Sequence, residues 1–256
     1  MNPDLAQTPP QSHFAAVNGM QMYYELYGEG TPLMLLHGYT GSSLQWQPFI
    51  GEFASHFRVI VPDLRGHGCS LDATNQFTLA QAAQDIFALL EHLGIDQLKG
   101  IGCSAGACIL QYMGAEQPTR LEAVILDSGG HYFAEQSRIA LYAWADSDDT
   151  ELASNQHHHI HGISQMRSLV NQLPQIVDDY NAQAPDLSKI TAKTLIVFGD
   201  RDELYPVAIP VEMYTSLANA YLWIVPNGGH ACIIEDPGKY AALFIRTALV
   251  FLQDEW

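Results

Sequence analysis

The chain has 256 residues, 48% hydrophobic and 15% charged, with a formal net charge of −17. Such a length and composition describe one globular core, not a disordered chain, and do not call for a second domain. The acidic balance opposes phosphate backbones and anionic membranes, so the expected partner is a small neutral or apolar molecule, with no nucleic acid and no membrane.

No apolar stretch reaches the roughly 18 residues that a membrane span needs. Residues 1–12 contain Pro3, Pro9 and Pro10 and no apolar run. They read as a flexible tail and not as a secretory leader. Cys69, Cys103, Cys108 and Cys232 are too few and too scattered for a disulfide framework. Reduced thiols and a cytoplasmic location are expected.

The elements follow in chain order. Phe14 to Val17 and Met20 to Tyr27 read as strands joined by Asn18-Gly19, a hairpin signal. Leu33 to Leu36 and Arg58 to Val61 are short apolar strands. Thr78, with Gln81 three residues on, has the pattern of a capping box. It opens a helix that carries Ala82, Ile86, Leu89, Leu90 and Leu93 at helical spacing and stops at Gly94. Leu98 to Cys103 is a strand and Ala105 to Ala115 a helix. Ala123 to Leu126, Thr194 to Phe198 and Tyr221 to Val225 are strands. Tyr240 to Leu252 is an amphipathic closing helix. Strands alternating with helices imply an α/β fold, with a mostly parallel sheet covered on both faces.

Residues 130–186 interrupt that alternation with helical pattern and no clear strand. The expected organisation is a core of 13–129 and 187–256 carrying a helical cap of 130–186. Tyr132, Phe133, Tyr142 and Trp144 are its candidates for lining a pocket or burying the cap. His157, His158, His159 and His161 also lie here. His157 and His161 are four apart, but no H-E-x-x-H accompanies them. They read as a polar face of the cap, and no metal or other cofactor is expected.

Gly102-Cys103-Ser104-Ala105-Gly106 is a G-x-S-x-G sequence between a strand and a helix. A serine at so sharp a turn needs small neighbours, because two chain segments approach closely there. The helix start also turns free N–H groups toward developing negative charge. A base is offered by His230 in Asn227-Gly228-Gly229-His230, after the last strand. The candidate acid is Asp202, in Gly199-Asp200-Arg201-Asp202, with Asp200 and Asp127 as rivals. The order Ser104, Asp202, His230 is the one expected of a strand-turn-helix nucleophile.

With these residues in view, the chain resembles the α/β-hydrolase superfamily from about residue 14 to 253. The match is carried by His37-Gly38-Tyr39, by Asp63-Leu64-Arg65-Gly66-His67-Gly68-Cys69-Ser70, by Gly102 to Gly106, and by the Asp202 and His230 loops. The resemblance implies an α/β-hydrolase fold with catalytic Ser104, Asp202 and His230. It implies an oxyanion hole made of the backbone N–H groups of Tyr39 and Ala105. The Asp63 to Ser70 turn is read as structural, and His67 as non-catalytic. Members resembling haloalkane dehalogenases and epoxide hydrolases carry aspartate at the nucleophile position, so Ser104 disfavours their alkyl-enzyme chemistry.

The expected activity is hydrolysis of a carboxylic ester through an acyl-enzyme, in the manner of a carboxylesterase. The alternatives are a carbon–carbon bond hydrolase or enol-lactonase using the same residues, a hydrolase-like receptor with little turnover, and a lyase or cofactor-free oxygenase using His230 as a proton shuttle.

Overall fold

The computed structural model describes residues 11–72, 74 and 76–256. Most of the expected tail therefore lies outside the described residues. Gln11 and Ser12 do not belong to a tail, because they open the first strand.

The framework is one eight-stranded sheet in the order β1-β2-β4-β3-β5-β6-β7-β8. β1 (Gln11–Val17) and β2 (Met20–Tyr27) form the expected antiparallel hairpin. Asn18 and Gly19 both take positive φ, 43° and 82°, as a two-residue turn of this hand requires. β2 also pairs antiparallel with β4 (Arg58–Pro62). The pairings among β3 (Pro32–Leu36), β4, β5 (Leu98–Cys103), β6 (Leu121–Asp127), β7 (Lys193–Gly199) and β8 (Ala220–Val225) are all parallel. β3 stands between β4 and β5, so the chain order reverses there. Ligand crevices in open α/β sheets form at such a reversal, beyond the carboxyl ends of the strands.

Helices cover both faces. α1 (Gln47–Ala54) buries Phe49 and Phe53 on one face. On the other, α2 (Leu79–Leu93) and α3 (Ala105–Glu116) bury Ile86, Leu90, Ile109 and Met113. Thr78 caps α2 by accepting the Gln81 N–H at 3.0 Å. The reciprocal half of the capping box does not follow that pattern, since the Gln81 side chain donates forward to Asp85 at 3.0 Å.

Between β6 and β7 stand α4 (Glu135–Ala145), α5 (Asp149–Leu152), α6 (Gly162–Val170) and α7 (Leu173–Ala182). Among the described residues of 130–186 there is no strand. This inserted segment has its own small core of Leu141, Leu152, Met166, Val170, Leu173 and Val177. α8 (Ala208–Ser216), the short α9 (Cys232–Glu235) and α10 (Pro237–Leu252) complete the chain. The Phe244 ring of α10 meets Phe49 of α1 edge-on at 6.0 Å. No helix among the described residues is long and apolar enough to cross a membrane.

The histidine run does not form a simple polar face. His159 is buried, and its Nδ1 accepts the Gly68 N–H at 3.1 Å while its Nε2 donates to the Thr40 carbonyl at 3.1 Å. His158 Nδ1 lies 3.2 Å from Ser42 Oγ. These two residues fasten the inserted segment to the loops after β3 and β4.

Candidate active site

The carboxyl ends of β3, β5, β7 and β8 bring four short segments together at one edge of the sheet. Ser104 follows β5 and caps α3 with φ 50° and ψ −113°, a conformation that L-residues rarely adopt. Its N–H donates to the Asp127 carbonyl at 2.7 Å, which holds the turn. The glycines around it are sterically required. A Cβ on Gly102 would overlap the backbone of Gly106 and Ala107, and one on Gly106 would overlap the Leu36 carbonyl.

Ser104 Oγ lies 3.1 Å from His230 Nε2. His230 Nδ1 lies 3.0 Å from Asp202 Oδ2 and 3.2 Å from Oδ1. Asp202 Oδ1 also accepts the N–H groups of Leu204 and Tyr205 at 2.8 and 2.9 Å. With a carboxylate facing Nδ1, the proton resides there and Nε2 is left to accept the serine hydroxyl. Burial lowers the affinity of His230 for a second proton. The Asp202 hydrogen bond and the charges of Asp202, Asp127 and Glu203 outweigh it, so the imidazole titrates above its ordinary value.

The rival acids are engaged elsewhere. Asp200 accepts the Asn227 N–H at 2.6 Å. Asp127 ends β6 and is buried, which pushes its carboxyl up to about 7. Its Oδ1 accepts the Ser128 hydroxyl at 3.1 Å, and Ser128 Oγ in turn accepts the Ala231 N–H at 3.0 Å.

Tyr39 and Ala105 border the same cavity as Ser104 and His230. Ala105 opens α3, where first-turn N–H groups have no intrahelical acceptor. The loop carrying Tyr39 is restrained at three points. His37 Nδ1 donates to the Gly38 carbonyl at 2.7 Å and its Nε2 accepts the Leu64 N–H at 3.0 Å. Burial brings this imidazole down to about 3, so it stays neutral. The Gly38 N–H donates to Gln45 Oε1 at 2.9 Å, and the Tyr39 hydroxyl donates to the Leu169 carbonyl of α6 at 2.8 Å. The Asp63 to Ser70 turn is structural, as expected. The Asp63 carboxylate accepts the N–H groups of Ser43 and Cys69, both at 2.7 Å, and Arg65 pairs with the buried Asp85 at 2.7 Å.

Sequence reasoning missed Gln45, Ser128 and Glu203, whose Oε2 lies 3.3 Å from the His230 N–H as its acceptor. None stands in a recurrent motif. Only Glu203, next to Asp202, was within reach of a local reading.

Ser104 opens into a cavity of about 340 Å³. Its apolar wall comes largely from the inserted segment, through Phe133, Leu141, Trp144, Leu173, Ile176 and Val177. Of the four aromatic candidates, Phe133 and Trp144 face the cavity. Tyr132 and Tyr142 instead donate to Glu212 and Asp178 at 3.1 and 3.0 Å. Glu203 and Glu235 border the cavity on the His230 side, and no lysine or arginine does so among the described residues. Cys103 and Cys232 are buried packing residues, and burial pushes the Cys232 thiol up to about 12. Among the described residues no three His, Cys, Asp or Glu side chains are grouped to hold a metal ion.

The family model described as alpha/beta hydrolase fold matches residues 31–160. The chain belongs to the alpha/beta hydrolase fold family. Within the family, it is 36% identical over 114 residues to a soluble epoxide hydrolase of a Corynebacterium species, a match over 44% of this chain and 40% of that enzyme. It is 27% identical to a putative carbamate hydrolase, RutD, of Variovorax paradoxus, over 91% of this chain and 96% of that protein. A hydrolase from Pseudomonas aeruginosa superposes with a TM-score of 0.77 at 22% identity, over 94% of this chain and 98% of the other, a likeness of fold. Membership agrees with the mostly parallel sheet and its covering helices and leaves the bond cleaved to be argued from the side chains of the site.

Proposed function

We propose that this alpha/beta hydrolase cleaves a carboxylic ester of a small, neutral or apolar substrate through an acyl-enzyme on Ser104. The reading is carried by the relay from Ser104 Oγ through His230 to Asp202, with links of 3.1 and 3.0 Å at the base of an apolar cavity. Ser104 Oγ attacks the ester carbonyl while His230 Nε2 takes its proton. Asp202 holds the imidazole by Nδ1 and stabilises the imidazolium that forms. The tetrahedral oxyanion is received by the N–H groups of Tyr39 and Ala105. Collapse breaks the bond to the alkoxy oxygen, and His230 returns the proton to the departing alcohol. Water, activated by the same imidazole, then releases the acid. This chemistry requires no cofactor.

Residues 130–186 act as the cap, a role supported by the apolar wall they contribute. The four unpaired thiols are in keeping with a reducing, cytoplasmic setting. A carbon–carbon hydrolase or enol-lactonase acting on carboxylate-bearing molecules is the weaker reading. Glu203 and Glu235 border the cavity with no lysine or arginine beside them among the described residues, and like charge is repelled there.

The test is hydrolysis of 4-nitrophenyl butyrate by the wild type and by Ser104→Ala, with fluorophosphonate labelling of both. Turnover and labelling that both vanish in the variant support the acyl-enzyme. Labelling without turnover points to a receptor or to a narrower substrate. Turnover that survives Ser104→Ala overturns the proposal.

A further inference from the structure

A second, smaller cavity of about 140 Å³ lies beside the first, and the two share Leu79 and Ile176 in their walls. Leu79 is the first residue of α2 and Ile176 belongs to α7, so one comes from the core and the other from the inserted segment. Both are buried. We propose that Leu79 and Ile176 form a partition that ends the acyl pocket, and that the second cavity is an overflow subsite for the end of a longer acyl chain. The inference rests on the ester reading given above.

The direction follows from the chemistry. His230 must protonate the leaving oxygen, so the alcohol lies over His230, beside Glu203 and Ala231. The acyl chain takes the opposite side, that of Tyr39. The Tyr39 ring packs edge-on against Phe77 at 5.2 Å, and Phe77 precedes Leu79 by two residues. The chain therefore runs toward Leu79.

The lining beyond the partition is mixed: Asp179, whose carboxylate accepts the Gln175 amide at 2.7 Å, and Gln183 stand beside two tyrosine rings that offer the apolar surface for a chain end. Tyr112 and Tyr180 line the second cavity with their rings 5.6 Å apart. Their hydroxyls are already committed, Tyr112 to the Gln183 carbonyl and Tyr180 to the Gly130 carbonyl, both at 2.9 Å. The rings are thus left to meet hydrocarbon. Thr78, at the same cavity, spends its hydroxyl capping α2.

The experiment is a kcat/KM series over 4-nitrophenyl esters from acetate to hexadecanoate, for the wild type, Leu79→Ala, Ile176→Val and Leu79→Ala/Ala80→Phe. Ala80 lines the second cavity and not the first, so phenylalanine there fills the overflow space. Leu79→Ala removes three carbons from the partition, and the optimum is expected to lengthen by about three carbons. Each newly buried methylene is expected to raise kcat/KM by about fourfold. Ile176→Val should give a smaller shift in the same direction, with less risk to folding. The double variant should return the optimum to shorter chains. Dissociation constants of the same esters in a Ser104→Ala background read the partition without turnover. An unchanged optimum in both single variants, with short esters still hydrolysed, overturns the inference and leaves the ester reading standing. Loss of all ester turnover in the wild type, with chain-length binding still shifted by Leu79→Ala, overturns the ester reading alone.

Discussion

The hydroxyl of Ser128 accepts the backbone N–H of Ala231 at 3.0 Å. Ser128 adjoins Asp127, whose carbonyl accepts the Ser104 N–H, and Ala231 adjoins His230. One short path from the end of β6 thus ties the Ser104 turn to the His230 loop. Ser128→Ala cuts it. The expected result is a fall in kcat on the order of tenfold from misplacement of His230, with KM little changed. The buried Ala231 N–H left without a partner should cost about 1–3 kcal/mol, read as a lower unfolding midpoint in denaturant.

The rate should be lost in acid, and sooner than an ordinary histidine would dictate. Only neutral His230 accepts the Ser104 proton, and the fraction that is neutral falls as pH drops through its pKa. Since Asp202 and the neighbouring carboxylates raise that pKa against burial, the acid limb of kcat/KM should lie above the ordinary value of about 6.5. Asp202→Asn should move the limb downward and reduce kcat by about 10⁴, because the imidazole loses both its charge partner and its tautomer. A limb that stays in place in Asp202→Asn would exclude Asp202 as the partner.

Gln45 borders the cavity and also braces the Tyr39 loop. Its Oε1 accepts the Gly38 N–H, so Gln45→Leu frees the segment that presents the Tyr39 N–H. We expect kcat to fall by about 10-fold to 10²-fold, less than the 10²–10³ typical of losing a donor outright. Gln45→Glu, which keeps the acceptor, should recover most of it. Steady-state kinetics of the two variants decides the point.

Stability should also decline on acidification. His37 and His159 are buried and remain neutral until about pH 3 and about pH 4, whereas the unfolded chain protonates them near 6.5. Their folded pKa values are lowered, so stability is present above 6.5 and is lost as pH falls from there toward the folded values. At pH 5 the loss is up to about 2 kcal/mol for each histidine. His159→Gln should flatten the pH dependence of the unfolding free energy between pH 7 and 5, at some cost in stability at pH 7. Denaturant titrations at the two pH values measure it.

Much of this site is local in sequence, which is why it was legible. Ser104 needs glycine on both sides because two backbones nearly touch there, and that steric demand is written into five consecutive residues. The strands were recognisable, β3 to β8 as short apolar runs, β2 by its alternation, and β1 only over its second half, because its first four residues are exposed. α1 and α8 were not, since α1 follows a glycine- and serine-rich loop and the apolar residues of α8 do not gather on one face. What escaped is what depends on distant partners. Ser128 meets Ala231 across 103 residues, and His159 meets Thr40 across 119. Glu203 did adjoin the expected acid, but its contact with the His230 backbone depends on how β7 and β8 align. A periodic pattern reports which face of an element is buried and is silent on which polar atom it meets.

The phenol of Tyr39 is anchored to the Leu169 carbonyl of α6, while the residue itself borders the cavity that holds Ser104. One residue thus belongs mechanically to two bodies. Any displacement of α6 large enough to break this bond also releases a restraint on the loop that carries Tyr39. The inserted segment and the loop after β3 are thereby coupled, so that a substitution altering the seat of α6 is felt at the edge of the Ser104 cavity.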